Sequence, residues 1–297
     1  AEGLAPAEAL AAFLDFAGKD PLVAFHAPFD AIMLKRHLDQ HLGVAFRRHW
    51  LDLADVAPLA WPRLAGRLSG LDDWLEAFAI PMQFRHRAIA DCLATAQLLL
   101  MVQREALAIV YRHFREQHLA SDSPRARAFR LFRSEGGRAL EWHARFEALQ
   151  ERFRRDDASV WGWPAWPAAY HHPQAPAVLA FANENADLVA YYAWLQWLAD
   201  EQLTALGQQS SRRGLGVGLY QDLAVGVNPG GSEAWAWQNA FARGAYVGAP
   251  PDEFNPAGQD WGLPPLVPQQ LREAAYAPLI AVLRANMRHC GALRIDH

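Results

Sequence analysis

Through the first hundred residues the apolar positions recur mostly at intervals of three and four, the spacing that lines one face of an α-helix. Residues 6–16 (PAEALAAFLDF) follow this pattern, with Pro6 suited to a first turn and Gly18 to a stop. Residues 29–41, 51–60, 71–78 and 88–112 repeat it. PLVAF at 21–25 is instead a short unbroken apolar run, the mark of a buried strand, so this half is predicted to be helices around one strand. No glycine- or serine-rich linker lies between residues 107 and 129, and SDSPRAR at 121–127 is a weak polar break. The two halves, 1–108 and 109–297, are expected to join inside a long helix.

The second half predicts helices over 138–155 and 185–209, separated by the Trp/Pro-rich stretch WGWPAWPAAYHHP. GLGVGLY at 214–220 reads as a strand, a Gly/Pro-rich loop of about forty residues follows, residues 269–289 are helical, and ALRID at 292–296 is a second strand. Helix, strand, long loop, helix, strand is the rhythm of a βα barrel, in which function gathers in the loops after the strands. Neither an internal repeat nor sustained heptads are present.

A length of 297 residues allows one large domain or two smaller ones, and 52% hydrophobic with 20% charged residues predicts a globular chain. No unbroken apolar run is long enough to span a bilayer, and the N-terminus lacks a basic segment followed by an apolar one. A membrane protein is therefore excluded, and a cytoplasmic location is expected. Two cysteines, Cys92 and Cys290, do not make a disulfide framework. A net charge of -4 gives no overall basic field for nucleic-acid phosphates. Only Lys19 and Lys35 are lysine among the 28 basic residues, a bias that fits genomic base composition rather than a binding surface. Trp50, Trp61 and Trp74 precede residue 110, whereas nine of the twelve tryptophans come from Trp142 onward, so the halves differ in kind.

In the first half, FHAPFDAIML places Asp30 just after a strand, and RHRAIADCLATAQLLL carries His86 and Asp91. Two carboxylates meeting in a cleft offer the hard oxygens that Mg²⁺ or Mn²⁺ prefer, and a nearby histidine can take a proton from an attacking water. An aspartate at a helix start is more commonly a cap. The words around these residues resemble the DEDD-type 3′-5′ exonucleases, the epsilon-like proofreading family, over residues 5–105. FHAPFD matches that family's HNAxFD motif, with Phe25 and His26 in place of His-Asn, and His86 with Asp91 match its H-x4-D motif. Its D-x-E motif has no counterpart here. The resemblance implies a partial RNase H-like domain over 1–108, inactive as a nuclease, in which Asp30, Asp91 and the base His86 bind Mg²⁺ or Mn²⁺ weakly at best.

In the second half, ALRID sets Asp296 at the C-terminal end of a strand, where barrel enzymes hold catalytic groups, and Arg294 two residues earlier is on the same face and can hold it ionised. Asp222 is read as following the earlier strand. Trp235, Trp261 and Gln259 in the long loop offer flat apolar faces and an amide, the combination that binds sugars. The tryptophans also suit an ordinary core, and Asp296 a solvated terminus. GLGVG lacks the glycine spacing and the following helix of a dinucleotide loop.

Four words in order, YYAWLQWLADEQL, GLYQDLAVGVNPGGSEAW, GAPPDEFNPAGQDWGLPP and NMRHCGALRIDH, resemble the amylomaltase-type 4-alpha-glucanotransferases of the α-amylase clan over residues 110–297. That resemblance implies a (β/α)8 barrel, transfer of α-1,4-glucan segments between maltooligosaccharides, and no metal or organic cofactor. Asp296 matches the nucleophile of the family's RIDH motif and Arg294 its supporting arginine. Gln259, Asp260 and Trp261 fall in the GQ-x-WG substrate loop, and Asn228 stands where many members have an acid. A retaining double displacement needs a second carboxyl about 5–5.5 Å from the first. In the family that acid follows RIDH, beyond His297, while Asp252 and Glu253 are near only by loop position. Little transferase activity is expected from the chain as given. The expected fold is α/β: a partial (β/α)8 barrel preceded by the partial RNase H-like domain. The function expected first is glucan transfer. A nucleic-acid hydrolase, or a non-catalytic fusion of two fragments, stands as the alternative.

Overall fold

Residues 4–81 and 88–295 are described by the computed structural model of the chain, which divides into two compact units, Ala1–Glu116 and Gln117–His297. In the first unit Pro6 opens α1 (Pro6–Ala17), where its missing N–H has no helical partner to lose, and Gly18 at φ 50° turns the chain out. Strand β1 (Leu22–Ala24) leads to α2 (Ala27–Leu42). The helix expected over 51–60 is divided, because Trp50–Asp52 form β2, parallel to β1 with Leu22 opposite Trp50, and α3 (Leu53–Ala60) begins only afterwards.

Asp52 accounts for that division. Its Oδ1 accepts the N–H groups of His26 and Ala54, and its Oδ2 that of Ala27, each at 2.9 Å. One carboxylate thereby holds the first turns of both α2 and α3. Helices α4 (Leu71–Ala77) and α5 (Ala88–Phe114) complete the unit. Leu53, Ala57, Trp74, Leu98 and Val102 form its core, and the rings of Trp61, Trp74 and Phe78 pack at centroid distances of 4.5 to 6.0 Å.

Continued by the wide turn Arg115–Leu119, α5 is by length and composition apolar enough to cross a membrane, contrary to expectation. Asp91, Gln97, Gln103 and Arg104 interrupt its apolar runs without making its average polar. Its Leu98 and Val102 lie in the unit's core, while Ile89, Leu93 and Leu100 are exposed.

The second unit opens on α6 (Pro124–Asp156), earlier than the expected residue 138, because Ser123 Oγ accepts the Ala126 N–H as a cap. SDSPRAR is thus a helix start. Gly137, at φ 52°, kinks the helix. After α7 (Pro176–Glu184), α8 (Ala186–Arg212) packs along α6. Phe146 and the buried Trp166 and Trp235 pack at 5.0 to 5.9 Å, and Phe129 meets Trp197 at 5.6 Å.

The strand expected over 214–220 begins only at Tyr220, as β3 (Tyr220–Leu223), since Gly214 and Gly218 have φ of 81° and 76° and cannot be extended there. The long loop contains α9 (Ser232–Ala236), a hairpin of β4 (Val247–Ala249) and β5 (Gln259–Leu263), and α10 (Pro268–Glu273). The helix expected over 269–289 divides into α10 and α11 (Ala277–Met287) at Ala275 and Tyr276, both with positive φ. Strand β6 (Ala292–Ile295) pairs parallel with β3, Tyr220 opposite Ala292. The architecture is helix-rich α/β.

Candidate active site

The pairing of β3 with β6 sets Asp222 opposite Arg294. Arg294 Nε lies 2.6 Å from Asp222 Oδ1, with both side chains about half exposed. The sequence pattern put Asp222 after its strand, but it is the third residue within β3, and the register brings the Arg294 guanidinium to it. Asp296 lies outside the described residues, two positions beyond Arg294.

Gly226, in the loop leaving β3, is pressed against Leu263 at the end of β5, so closely that a Cβ there would stand 3.0 Å from the Leu263 Cβ. The hairpin is therefore held beside the outlet of β3. On β5, Trp261 donates its indole N–H to Gln259 Oε1 at 3.0 Å, and Asp260 Oδ1 accepts the Gly262 N–H at 2.8 Å. Gln259 and Trp261 are thus joined side chain to side chain, and Asp260 between them is tied to the backbone of Gly262.

Trp235 belongs to the core. It is fully buried, donates its indole N–H to the Tyr170 carbonyl at 2.9 Å, and has no face left for a sugar. Asn228 shapes a turn by accepting the Gly230 N–H at 2.8 Å. Asp252 does likewise for the N–H groups of Phe254 and Asn255, so it is a turn former. Phe254 itself, in the loop between β4 and β5, is 91% exposed. Sequence reasoning passed over it, although a bulky apolar residue set among Pro, Asp, Glu and Asn in PPDEFNP was a visible signal.

Two titratable groups on α6 are largely buried. Burial pushes the Glu147 carboxyl above its ordinary value and the His143 imidazole below its own. His143 Nδ1 lies 3.0 Å from Ser232 Oγ at the start of α9.

In the first unit, Asp30 lies in the first turn of α2 and Asp91 in the first turn of α5. His86 is outside the described residues. An open groove of about 660 Å³ next to the ends of β1 and β2 is lined by His26, Phe29, Asp52, Asp55, Ser69 and Trp74, and neither Asp30 nor Asp91 is part of that lining. Among the described residues no three His, Cys, Asp or Glu side chains converge as Mg²⁺ or Mn²⁺ would require.

A family model described as 4-alpha-glucanotransferase matches residues 85–297. The chain belongs to that family. A second model, described as Exonuclease, matches residues 2–99. A 4-alpha-glucanotransferase of Mycobacterium tuberculosis is 43% identical over 195 residues, covering 66% of this chain and 25% of the relative. One from Haemophilus influenzae is 29% identical over 286 residues, 95% of this chain and 40% of the relative, so the likeness runs through most of the first unit as well. The crystal structure of amylomaltase from Corynebacterium glutamicum superposes with a TM-score of 0.52 at 33% identity, over 69% of this chain and 28% of that one. The chain therefore spans a quarter to two-fifths of the length of these relatives.

Proposed function

We propose that this chain supplies the nucleophile strand and part of the substrate loop of a 4-alpha-glucanotransferase that moves α-1,4-glucan segments between maltooligosaccharides by retaining double displacement. Asp296 attacks the anomeric carbon, and the departing oxygen takes a proton from a carboxylic acid. The 4-hydroxyl of a second glucan then displaces the enzyme while its proton passes to the carboxylate left by the first step. Arg294, paired with Asp222, stands beside the nucleophile, and the Gln259–Trp261 strip, with the exposed ring of Phe254 nearby in sequence, holds sugar rings and hydroxyls. The reaction uses no metal or organic cofactor, and its place is the cytoplasm.

The observation that carries this reading is the parallel β3–β6 pair with its Asp222–Arg294 ion pair, in a segment that matches the family's model along its length. A partial (β/α)8 barrel is the architecture that goes with it. For the first unit, the exonuclease match and the β1–α2–β2 arrangement support descent from an RNase H-like fold, while the Haemophilus alignment supports its being part of the transferase rather than a foreign nuclease. In the complete protein that carries this segment, maltotriose is expected to give glucose and longer oligomers. Asp296→Asn is expected to lower kcat by about a thousandfold or more; undiminished product from that variant refutes the assignment.

A further inference from the structure

We propose that His289, held by Asp200 and Thr204 of α8, is a positioning residue that fixes the start of β6 and so aims Arg294 and Asp296; its meaning for catalysis rests on the transferase reading above. The turn from α11 into β6 is short, and three elements grip it. His289 Nε2 lies 2.7 Å from Asp200 Oδ1, and its Nδ1 lies 3.3 Å from Thr204 Oγ1. Asp200 and Thr204 are one turn apart on α8, so they hold both ring nitrogens from a single helix face. The His289 side chain is 9% exposed and that of Asp200 18%, which keeps water from competing for the pair. Arg288 extends the grip, with Nε 3.4 Å from the same Asp200 oxygen and Nη2 3.5 Å from Glu135 Oε2 on α6.

The backbone is fitted as closely as the ring. Gly207 lets the His289 carbonyl come against α8, where a Cβ would stand 3.3 Å from that oxygen. A Cβ at Gly291 would overlap the Val217 carbonyl. The Leu219 carbonyl accepts the N–H of Gly291 at 2.9 Å and that of Ala292 at 3.3 Å. The register of β6 on β3 is thus set at its first residue, and a slip of one residue would turn Arg294 away from Asp222. The Asp222–Arg294 pair cannot set that register itself, because half-exposed ion pairs have little holding power. The well-shielded contact at the other end of the strand is the His289 clamp.

Two measurements test this. In the 297-residue chain, hydrogen exchange of the Arg294 Nε–H and of the amides of residues 291–295 is expected to quicken about tenfold or more in His289→Ala, while β4–β5 amides stay unchanged. His289→Gln, which can still donate to Asp200, is expected to restore most of the protection, and Thr204→Val to give a milder loss should the alanine variant not fold. In the complete transferase, His289→Ala is expected to lower kcat for maltotriose about a hundredfold with KM unchanged, since a small misplacement of a reacting group costs that much. Unchanged exchange at 291–295, or loosening spread equally through the unit, overturns the clamp. An unchanged kcat beside a dead Asp296→Asn enzyme also overturns it and leaves the transferase reading intact. Turnover that survives Asp296→Asn overturns the transferase reading instead, and the exchange data then decide the clamp alone.

Discussion

Glu147 and His143 stand one turn apart on α6, and burial moves them in opposite directions. Glu147 binds its proton more readily in the folded chain than in the unfolded one. Its contribution to stability is therefore fully present below the ordinary value of 4.5 and is lost as pH rises through the raised folded value. His143 stays neutral in the fold where the unfolded chain would protonate, so its contribution is present above 6.5 and is lost as pH falls through its lowered folded value. Glu147→Gln is accordingly expected to raise the melting temperature near neutral pH and to lose that advantage below about pH 4.5, the ordinary glutamate range. Thermal melts of both proteins across that range read the effect directly. A variant equally stabilised at every pH would mean that the gain comes from packing rather than charge. Trp235 teaches a related lesson at this scale: an aromatic residue suited to a sugar and one suited to a core have the same letter, and only its zero exposure and its bond to Tyr170 separate them.

At the scale of elements, Asp52 shows how one side chain can overrule a helical pattern. Three backbone N–H groups from two helices converge on its carboxylate, so Asp52→Ala is expected to cost about 2–3 kcal/mol, more than an ordinary cap, and Asp52→Asn less. Urea unfolding gives the number when followed by hydrogen exchange of the α2 and α3 amides, and a loss under about 0.5 kcal/mol, the low end for a single cap, would show that the two helices start without it. Elements with local signals were legible in the sequence: Pro6 and Gly18 around α1, the apolar run of β1, and ALRID as the strand beside β3. The three-residue β2 was not, because its existence depends on pairing with β1, 28 residues earlier, rather than on its own letters. Gly214 and Gly218 were read as strand for the same reason, since only their positive φ shows them to be loop. At the site, the strands bearing Asp222 and Arg294 were visible, but their partnership is a matter of register, which no single strand encodes. His289 lay in plain view in the NMRHCGALRIDH word, yet its role depends on Asp200, 89 residues away.

For the molecule as a whole, the two family matches point towards different chemistries, each with its own physical demands. Phosphodiester hydrolysis by metal ions needs several carboxylates converging on a shared pair of cations. Asp30 and Asp91 begin two different helices, Asp52 spends its oxygens on backbone N–H groups, and no metal cluster forms among the described residues. A net charge of -4 adds no general attraction for phosphates. Glucan binding makes neither demand, because sugar hydroxyls are neutral and meet amides and aromatic faces such as those of Gln259, Trp261 and Phe254. A labelled single-stranded oligonucleotide is therefore expected to remain intact with this chain in the presence of Mg²⁺ or Mn²⁺, and its fluorescence anisotropy to show no salt-dependent binding. Degradation that disappears in Asp91→Ala would restore the nuclease reading for the first unit. His86→Ala is the companion variant: a nuclease that needs Asp91 for metal and His86 for the attacking water loses activity with either.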